Sequence, residues 1–452
     1  MKLFAKYLPL IILLGVASGL LLYRLDNSRL FPWDEAWYAT IARNIYRSGD
    51  VINLTFNSKP FWDHPPLGFL LISLSYRLFG VGELSARLPM AFAGIALVCL
   101  TYQTAWRMTG KRRIGLIAGL VLLSSRWFLI RARTANLEAL LLLTQLGVFY
   151  LSVFAKKYKD LYPLWLVFGL SLLVKSVISV TLFPLVAIAT FLVLKKGKRI
   201  RLNFLVPLFL VASPWYLVNG LKYGWPFFER NIFEIALRGK GGFKTGFEEI
   251  KRTLLYFRSA VHKWYWPSIL SSAWGLLRLR DSTFKWLLLY LAITTIPYFA
   301  SPTTHIWHLL PMIPAISLMI GCAAKSVSEI APIATKEYLI WFSLLGVVVI
   351  SLISINSYRP FLYQDKTESY ESRLALSSTR YDYPLYLQDT SYVPTVVFYA
   401  DRYVEIIRDE KNLAGSLIKP FQIITKDYLI RDLGNSYNVV DRFGDSVLAI
   451  FE

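Results

Sequence analysis

Eleven predominantly apolar stretches run along the chain, with polar segments between them. A helix needs about 20 apolar residues to cross the hydrocarbon core of a bilayer, so this pattern predicts a polytopic α-helical membrane protein. The predicted spans are residues 7–23, 84–106, 114–130, 137–155, 162–174, 176–194, 202–219, 264–277, 284–300, 306–324 and 338–355. The first span resembles a signal peptide, but no small-residue cleavage site follows it, so we predict a retained helix.

Three long segments lie between or after the spans, at residues 25–83, 220–263 and 358–452. In the first, Trp37, Ile41 and Ile45 recur at helical spacing after Pro32, which predicts an amphipathic helix lying in the membrane interface. The second segment is rich in basic residues and contains a glycine-rich run at 239–243. Positive charge on the outside runs against the usual distribution in membrane proteins, so it suggests an anionic ligand.

The third segment alternates short β-like runs with helix-compatible stretches, which predicts a small α/β domain. The predicted strands are 395–399, 404–407, 421–425, 437–440 and 447–451. We therefore predict two domains, a transmembrane module over 1–357 with outer loops at 25–83 and 220–263, and an extracytoplasmic α/β domain over 358–452.

Composition and charge agree with a membrane protein. Of 452 residues, 55% are hydrophobic and only 17% are charged, and the 14 Trp and 27 Tyr fit interfacial aromatic belts. The net charge of +21 is spread over short loops instead of forming a basic domain, so it indicates topology and not nucleic-acid binding. With the N-terminus in the cytoplasm, the basic short loops fall inside and the C-terminal domain falls outside.

Ionisable residues from separate segments converge on the outer face in this threading. The first loop supplies the adjacent carboxylates Asp34 and Glu35, and the starts of later spans supply further acids and bases. Charge beside hydrocarbon is costly, so such a cluster indicates a functional site. The cluster comprises Asp34, Glu35, Lys59, Asp63, His64, Glu138, Lys175 and His305, with Arg131 close to Glu138.

Each of these residues also has a structural explanation. Asp34 could cap the interfacial helix, and Glu138 could pair with Arg131 or Arg133. Lys175 could extend along the helix end to the lipid headgroups. Together, however, cations suited to holding a phosphate and a carboxylate suited to removing a proton favour transfer of a sugar from a lipid-linked phosphate.

The motifs resemble those of GT-C glycosyltransferases in the protein O-mannosyltransferase and lipid A aminoarabinose transferase superfamily. Residues 33–43, with the Asp34-Glu35 doublet, resemble the family's first-loop motif. Residues 48–50, 59–67, 78–89, 173–175 and 304–314 resemble further family motifs in the same order. The resemblance covers about residues 32–320, and it implies a GT-C fold of about 11 transmembrane helices with interfacial helices.

By position, the resemblance implies roles for the site residues. Asp34 would be the base that activates the acceptor, Glu35 would support it, and Glu138 would be a second acid. Lys175 and His64 would contact the donor phosphate, with Lys59, His305 and Arg131 as further candidates. This chain departs from the family pattern at His64, where Lys is usual, and after Lys175, where Ser176-Val177 replaces Gly-Pro.

The predicted activity is that of an inverting glycosyltransferase in the cell membrane. Its sugar donor would be linked to a polyprenyl phosphate, and its acceptor would be a protein, lipid A or another envelope glycan or lipid. The alternatives are a lipid or sugar transporter without covalent chemistry and a noncatalytic scaffold. No cofactor is required by the resemblance, although a divalent metal is compatible with the acidic cluster.

Overall fold

Helices account for most of the computed structural model. The model describes residues 2–195, 202–234, 246–299, 305–332, 335–362, 369–388, 392–407, 419–430 and 437–452. The helices are α1 (Lys2–Leu22), α2 (Asp34–Ser48), α3 (Leu67–Phe79), α4 (Glu83–Thr109), α5 (Arg112–Leu123), α6 (Arg126–Ala132), α7 (Glu138–Phe154), α8 (Leu161–Leu172), α9 (Ser176–Val180), α10 (Phe183–Leu194), α11 (Val206–Tyr223), α12 (Trp225–Phe228), α13 (Phe247–Val261), α14 (Tyr265–Leu277), α15 (Ser282–Phe299), α16 (Met312–Ile330), α17 (Lys336–Leu362), α18 (Tyr370–Ser378), α19 (Val393–Ala400) and α20 (Asp427–Ile430).

Each predicted span falls on one or more of these helices. Judged by length and apolar composition, however, fewer than eleven stretches of the described residues could cross a membrane. Within the described residues, five helical stretches are long and apolar enough to cross a membrane, or six if α5 and α6 count as one. These two helices meet at 73°, where the prediction had a single span over residues 114–130. At the break, the Ser124 and Ser125 hydroxyls donate to the backbone carbonyls of Leu120 and Val121, a pattern that bends helices.

The first long segment contains more structure than the predicted amphipathic helix. That helix is α2, and it ends at Gly49, whose positive φ allows its N–H to bond the Ile45 carbonyl. The hairpin of β1 (Thr55–Phe56) and β2 (Lys59–Pro60) and the apolar helix α3 follow. The sequence did not predict α3, because its 13 residues are fewer than a membrane crossing needs.

A five-stranded mixed sheet lies near the C-terminal end of the chain. Its strands are β3 (Leu385–Leu387), β4 (Val404–Ile406), β5 (Phe421–Lys426), β6 (Tyr437–Phe443) and β7 (Ser446–Phe451). They follow the order β4-β3-β5-β7-β6; β3 is parallel to β4 and β5, whereas β7 is antiparallel to β5 and β6. The prediction missed β3, and its strand over 395–399 is wrong, because those residues form helix α19.

Helix α19 explains that error. Its Val and Thr residues favour strands by propensity, and all eight of its residues are buried, so no amphipathic pattern marks it as a helix. It packs between α18 and α2. The guanidinium of Arg43 on α2 donates to the Val397 and Phe398 carbonyls at the end of α19, so Arg43 is buried there.

Candidate functional site

A cavity of about 790 Å³ opens beside the start of α2. Its wall is built from the first loop, α6, the turn that precedes α9 and the residues that precede α16. These segments are far apart in sequence, and their ionisable side chains meet here. The polar and ionisable lining consists of Asp34, Glu35, Tyr38, Asp63, His64, Arg131, Thr134, Asn136, Lys175, Thr181, His305 and His308.

Glu35 is locked into the framework at the edge of this cavity. It is 1% exposed and accepts two hydrogen bonds from Arg87, at 2.7 and 3.0 Å. The backbone N–H groups of Phe31 and Ala135 donate to the same carboxylate. Both oxygens are therefore occupied, and Glu35 ties the start of α2 to α4 and to the loop before α7.

Asp34 is the half-buried neighbour of Glu35, in the first turn of α2. The residue at the cap position is Trp33, so the structural alternative of Asp34 as the helix cap is wrong. Tyr38 lies one turn further along α2 and lines the same cavity. Burial raises the pKa of the Tyr38 hydroxyl well above its usual value, and the negative charge of Asp34 raises it further. Tyr38 therefore carries its proton at physiological pH and can donate it in a hydrogen bond.

Lys175 and Glu138 form a buried ion pair at the wall of the cavity. The Lys175 ammonium lies 3.0 Å from Glu138 Oε1, and Lys175 is 8% exposed. The second Glu138 oxygen has no hydrogen-bond partner among the described residues. The salt bridge of Glu138 is thus with Lys175 and not with Arg131 or Arg133 among the described residues, and Lys175 is turned to this carboxylate.

Asp63 and His64 follow the β1–β2 hairpin and face α2. Asp63 is bound by Arg230, whose Nε lies 2.6 Å from Oδ1. The His64 ring makes edge contacts with Tyr38 and Phe61. This arrangement puts the imidazole beside the Tyr38 ring and leaves the Asp63 charge neutralised by Arg230.

Arg131 and His305 both pack against the ring of Trp307. The Arg131 guanidinium lies 4.9 Å from the centre of the Trp307 ring, and the His305 ring stacks on the same indole at 4.7 Å. The Nε of Arg131 is buried without a hydrogen-bond partner in the described part of the chain. Such a cation–aromatic stack fixes the orientation of a guanidinium and leaves its N–H groups available to an anion.

The predicted site residues thus come together with one exception. Asp34, Glu35, His64, Lys175, His305 and Arg131 line the cavity, and Glu138 adjoins it through Lys175. Lys59 is exposed on β2 and does not line it. The glycine-rich run at 239–243, which contains Lys240, lies outside the described residues.

Several residues of this site were not identified from the sequence. Tyr38 could have been found, because it lies four residues after Asp34 on a helix. The roles of Trp307 and Arg87 carry no such signal, since each depends on a partner distant in sequence. Within the residues that the structure describes, no group of three or more His, Cys, Asp or Glu side chains is arranged to hold a metal ion.

Comparison with solved structures identifies the fold of the chain. The chain has the fold of ArnT from Cupriavidus metallidurans, whose crystal structure contains undecaprenyl phosphate; the TM-score is 0.75 at 18% identity, over 98% of this chain and 97% of that one. This fold and the apolar helices make the chain a multi-pass membrane protein. Residues 63–217 match the dolichyl-phosphate-mannose-protein mannosyltransferase family. The two findings confirm the resemblance to the protein O-mannosyltransferase and aminoarabinose transferase superfamily.

Relatives by sequence match over part of their length. An uncharacterized protein of Aquifex aeolicus is 29% identical over 224 residues, 48% of this chain and 44% of that protein. The undecaprenyl phosphate-alpha-4-amino-4-deoxy-L-arabinose arabinosyl transferase of Aeromonas salmonicida is 27% identical over 233 residues, 49% of this chain and 42% of that protein. The matched part spans about half the length of these curated relatives.

Proposed function

We propose that this protein is an inverting glycosyltransferase that moves a sugar from a polyprenyl-phosphate carrier to an acceptor at the outer face of the membrane. The observation that carries the proposal is that the carboxylate of Asp34 and the cations of Lys175 and Arg131 line one and the same cavity. The donors named for the matching family and for the Aeromonas relative, both lipid phosphates that carry a sugar, support the choice of donor.

In the proposed reaction, Asp34 accepts a proton from the acceptor hydroxyl or amine. The acceptor atom attacks the anomeric carbon of the sugar while the bond from that carbon to the phosphate oxygen breaks. The prenyl phosphate leaves with the bonding electrons, so its negative charge grows in the transition state. A single displacement of this kind inverts the configuration at the anomeric carbon.

The cations of the cavity would stabilise the leaving phosphate. Lys175 is the main candidate, because Glu138 holds its ammonium in place and leaves two of its three N–H donors for a ligand. Arg131, held on Trp307, and His64 would complete the phosphate site, with His305 stacked on Trp307 as a further candidate. Lys59 would meet the phosphate only from the outer surface of the first loop.

The roles of the other acids follow from their contacts. Glu35 would support Asp34 by fixing the start of α2, because both of its oxygens are already engaged. Glu138 would set the position of the Lys175 ammonium. We also propose that the transmembrane module ends at residue 357, that the C-terminal domain begins at residue 358, and that the N-terminus is cytoplasmic. The basic residues Lys111 and Arg113 at the start of α5, which pair with Glu337, support that orientation, because basic short loops are typical of the cytoplasmic side.

The test is whether the purified protein releases prenyl phosphate from a sugar donor. Undecaprenyl-phosphate-linked mannose and 4-amino-4-deoxy-L-arabinose would be incubated with the protein and a membrane extract as the source of acceptors. We expect prenyl phosphate to appear with one donor in step with transfer of its sugar. A transporter would move the donor across a vesicle membrane and leave it intact, so uptake without release would contradict the proposal.

A further inference from the structure

A π-helix over Glu229–Glu234 follows α12 and lies against the cavity wall. π-Helices are rare and occur frequently at functional sites, because the wider turn redirects side chains that an α-helix would point elsewhere. Here two successive residues of the π-helix contact the first loop. Arg230 binds Asp63, and Asn231 binds the backbone next to it.

Asn231 makes two hydrogen bonds to two different segments of the cavity wall. Its Nδ2 donates to the Trp62 carbonyl at 2.7 Å, and its Oδ1 accepts from the Ser176 hydroxyl at 3.1 Å. The side chain is 0% exposed, so no water replaces these bonds from bulk solvent. A buried amide with both ends engaged fixes the separation of its partners.

The two partners adjoin the residues that the proposed reaction needs. Trp62 precedes Asp63 and His64 in the chain, and Ser176 follows Lys175 directly. Ser176 is itself fixed, because its hydroxyl accepts a 2.6 Å hydrogen bond from Tyr216 on α11. Asn231 therefore connects the His64 side of the cavity to the Lys175 side through one hydrogen bond to each.

We propose that Asn231 is a positioning residue that sets the spacing between Lys175 and His64, so that both reach one donor phosphate. This inference rests on the proposed function, since it assigns Asn231 to the phosphate site of that reaction. Asn231 touches neither the phosphate nor the sugar in this scheme. It acts through the backbone of the first loop and through the turn that carries Lys175.

The chain offers a matched control in Asn219 on α11. It is 1% exposed, and its Nδ2 donates to the Ile52 carbonyl of the first loop and to the Trp215 carbonyl. It thus resembles Asn231 in burial and in binding a carbonyl of that loop, but it makes no bond to the Lys175 turn. A variant at Asn219 reports the general cost of removing a buried amide.

The experiment measures the affinity of the full-length protein for undecaprenyl phosphate, the donor KM and kcat, and thermal stability. We expect Asn231→Ala to weaken binding and raise the donor KM by about tenfold, with kcat changed less than about threefold. Asn219→Ala should lower thermal stability to a similar degree and leave the affinity within about twofold of the wild type. Ser176→Ala removes only the hydroxyl at the other end, so it provides a second variant that disturbs the fold less.

The double variant separates positioning from a general loss of structure. If the two residues act through one hydrogen bond, Asn231→Ala/Ser176→Ala binds no more weakly than the weaker single variant. The inference is overturned if Asn231→Ala binds like the wild type, if Asn219→Ala loses as much affinity, or if the two losses add. Failure of the wild-type protein to bind undecaprenyl phosphate would instead overturn the proposed function, and this inference with it.

Discussion

Two buried ion pairs adjoin the cavity, and they differ in how completely their hydrogen-bonding groups are satisfied. In the Glu35–Arg87 pair, the carboxylate accepts four hydrogen bonds, and Arg87 also donates to the carbonyls of Leu25, Ser28 and Arg29. In the Glu138–Lys175 pair, one oxygen and one ammonium proton make a single bond at 3.0 Å. Its second carboxylate oxygen has no partner in the described ranges.

The difference indicates that the first pair stabilises the fold, whereas the second can also bind a ligand. A saturated pair has no donor or acceptor left for a ligand, and removing either partner would strand a buried charge. An ion pair that is incompletely satisfied and lies beside a cavity retains N–H groups that can donate hydrogen bonds to a phosphate. Adjacent residues of one motif therefore have different roles, Glu35 holding the framework while Asp34 faces the cavity.

Substitution of Arg87 should have the largest effect on stability. Arg87→Ala leaves Glu35 buried without its cation, so we expect the free energy of unfolding to fall by about 3–5 kcal/mol. Thermal unfolding of the purified protein in detergent measures this loss. Arg47→Ala is the control, because its pair with Asp401 is exposed and contributes about 1 kcal/mol or less. Equal losses in the two variants would remove the distinction between the saturated pair and an ordinary surface pair.

Substitution of Lys175 should weaken donor binding and also destabilise the fold, because it leaves the Glu138 carboxylate buried without its cation. Lys175→Ala removes a charge-assisted contact to the phosphate, so we expect the donor KM to rise by about 30-fold, in line with about 2 kcal/mol for such a bond. Steady-state kinetics with the active donor measures it. Lys222→Ala, which removes an exposed lysine bonded to Asn53, is the control and should leave the donor KM unchanged. A donor KM that is the same in both variants would exclude Lys175 from the phosphate site.

The smallest expected effect concerns pH at the contact between α2 and α19. Burial alone would raise the pKa of Asp401, but the hydrogen bond from Arg47 and the charge of Arg43 outweigh it, so the pKa lies below its usual value. A lowered pKa in the folded state stabilises the contact above the unfolded pKa of about 4, and the stabilisation is lost as pH falls further. Because Asp401 is 42% exposed, the effect should be small.

Limited proteolysis between pH 6 and pH 3 checks the role of Asp401 in this contact. We expect the C-terminal region of the wild type to become more susceptible as the pH falls below about 4. Asp401→Asn should already be more susceptible at pH 6 and change less on acidification. A wild type and a variant with the same pH profile would show that the charge of Asp401 does not hold this contact.

The sequence predicted the positions of the helices and the convergence of the site residues, but it did not predict how the individual side chains are oriented. Apolar runs predicted where the long apolar helices lie, because bilayer thickness imposes a length on a membrane-crossing helix. The convergence of Asp34, Lys175 and Arg131 followed from threading those spans and from the family motifs. The orientation of each side chain did not follow, because adjacent residues such as Asp34 and Glu35 carry the same charge and differ only in partners supplied by distant segments.

Helix α19 and the residue Arg87 show where a local sequence pattern does not predict the structure. Helix α19 was predicted as a strand because complete burial removes helical periodicity, leaving only the β-propensity of its Val residues. Arg87 was read as part of the motif at the start of α4, whereas the structure makes it the centre of a network joining α2, α4 and the first loop. Both depend on long-range packing, which neither propensity nor spacing encodes.

Release of prenyl phosphate by Asp34→Asn tests the proposed reaction most directly. The substitution keeps the size and polarity of the side chain and removes its capacity to accept a proton, so release from the active donor should fall by about 10²- to 10⁴-fold. Undecaprenyl phosphate binding and thermal stability should match the wild type, because Lys175 and the Glu35–Arg87 pair are untouched. Wild-type release by Asp34→Asn would contradict the assignment of Asp34 as the base and the reaction built on it.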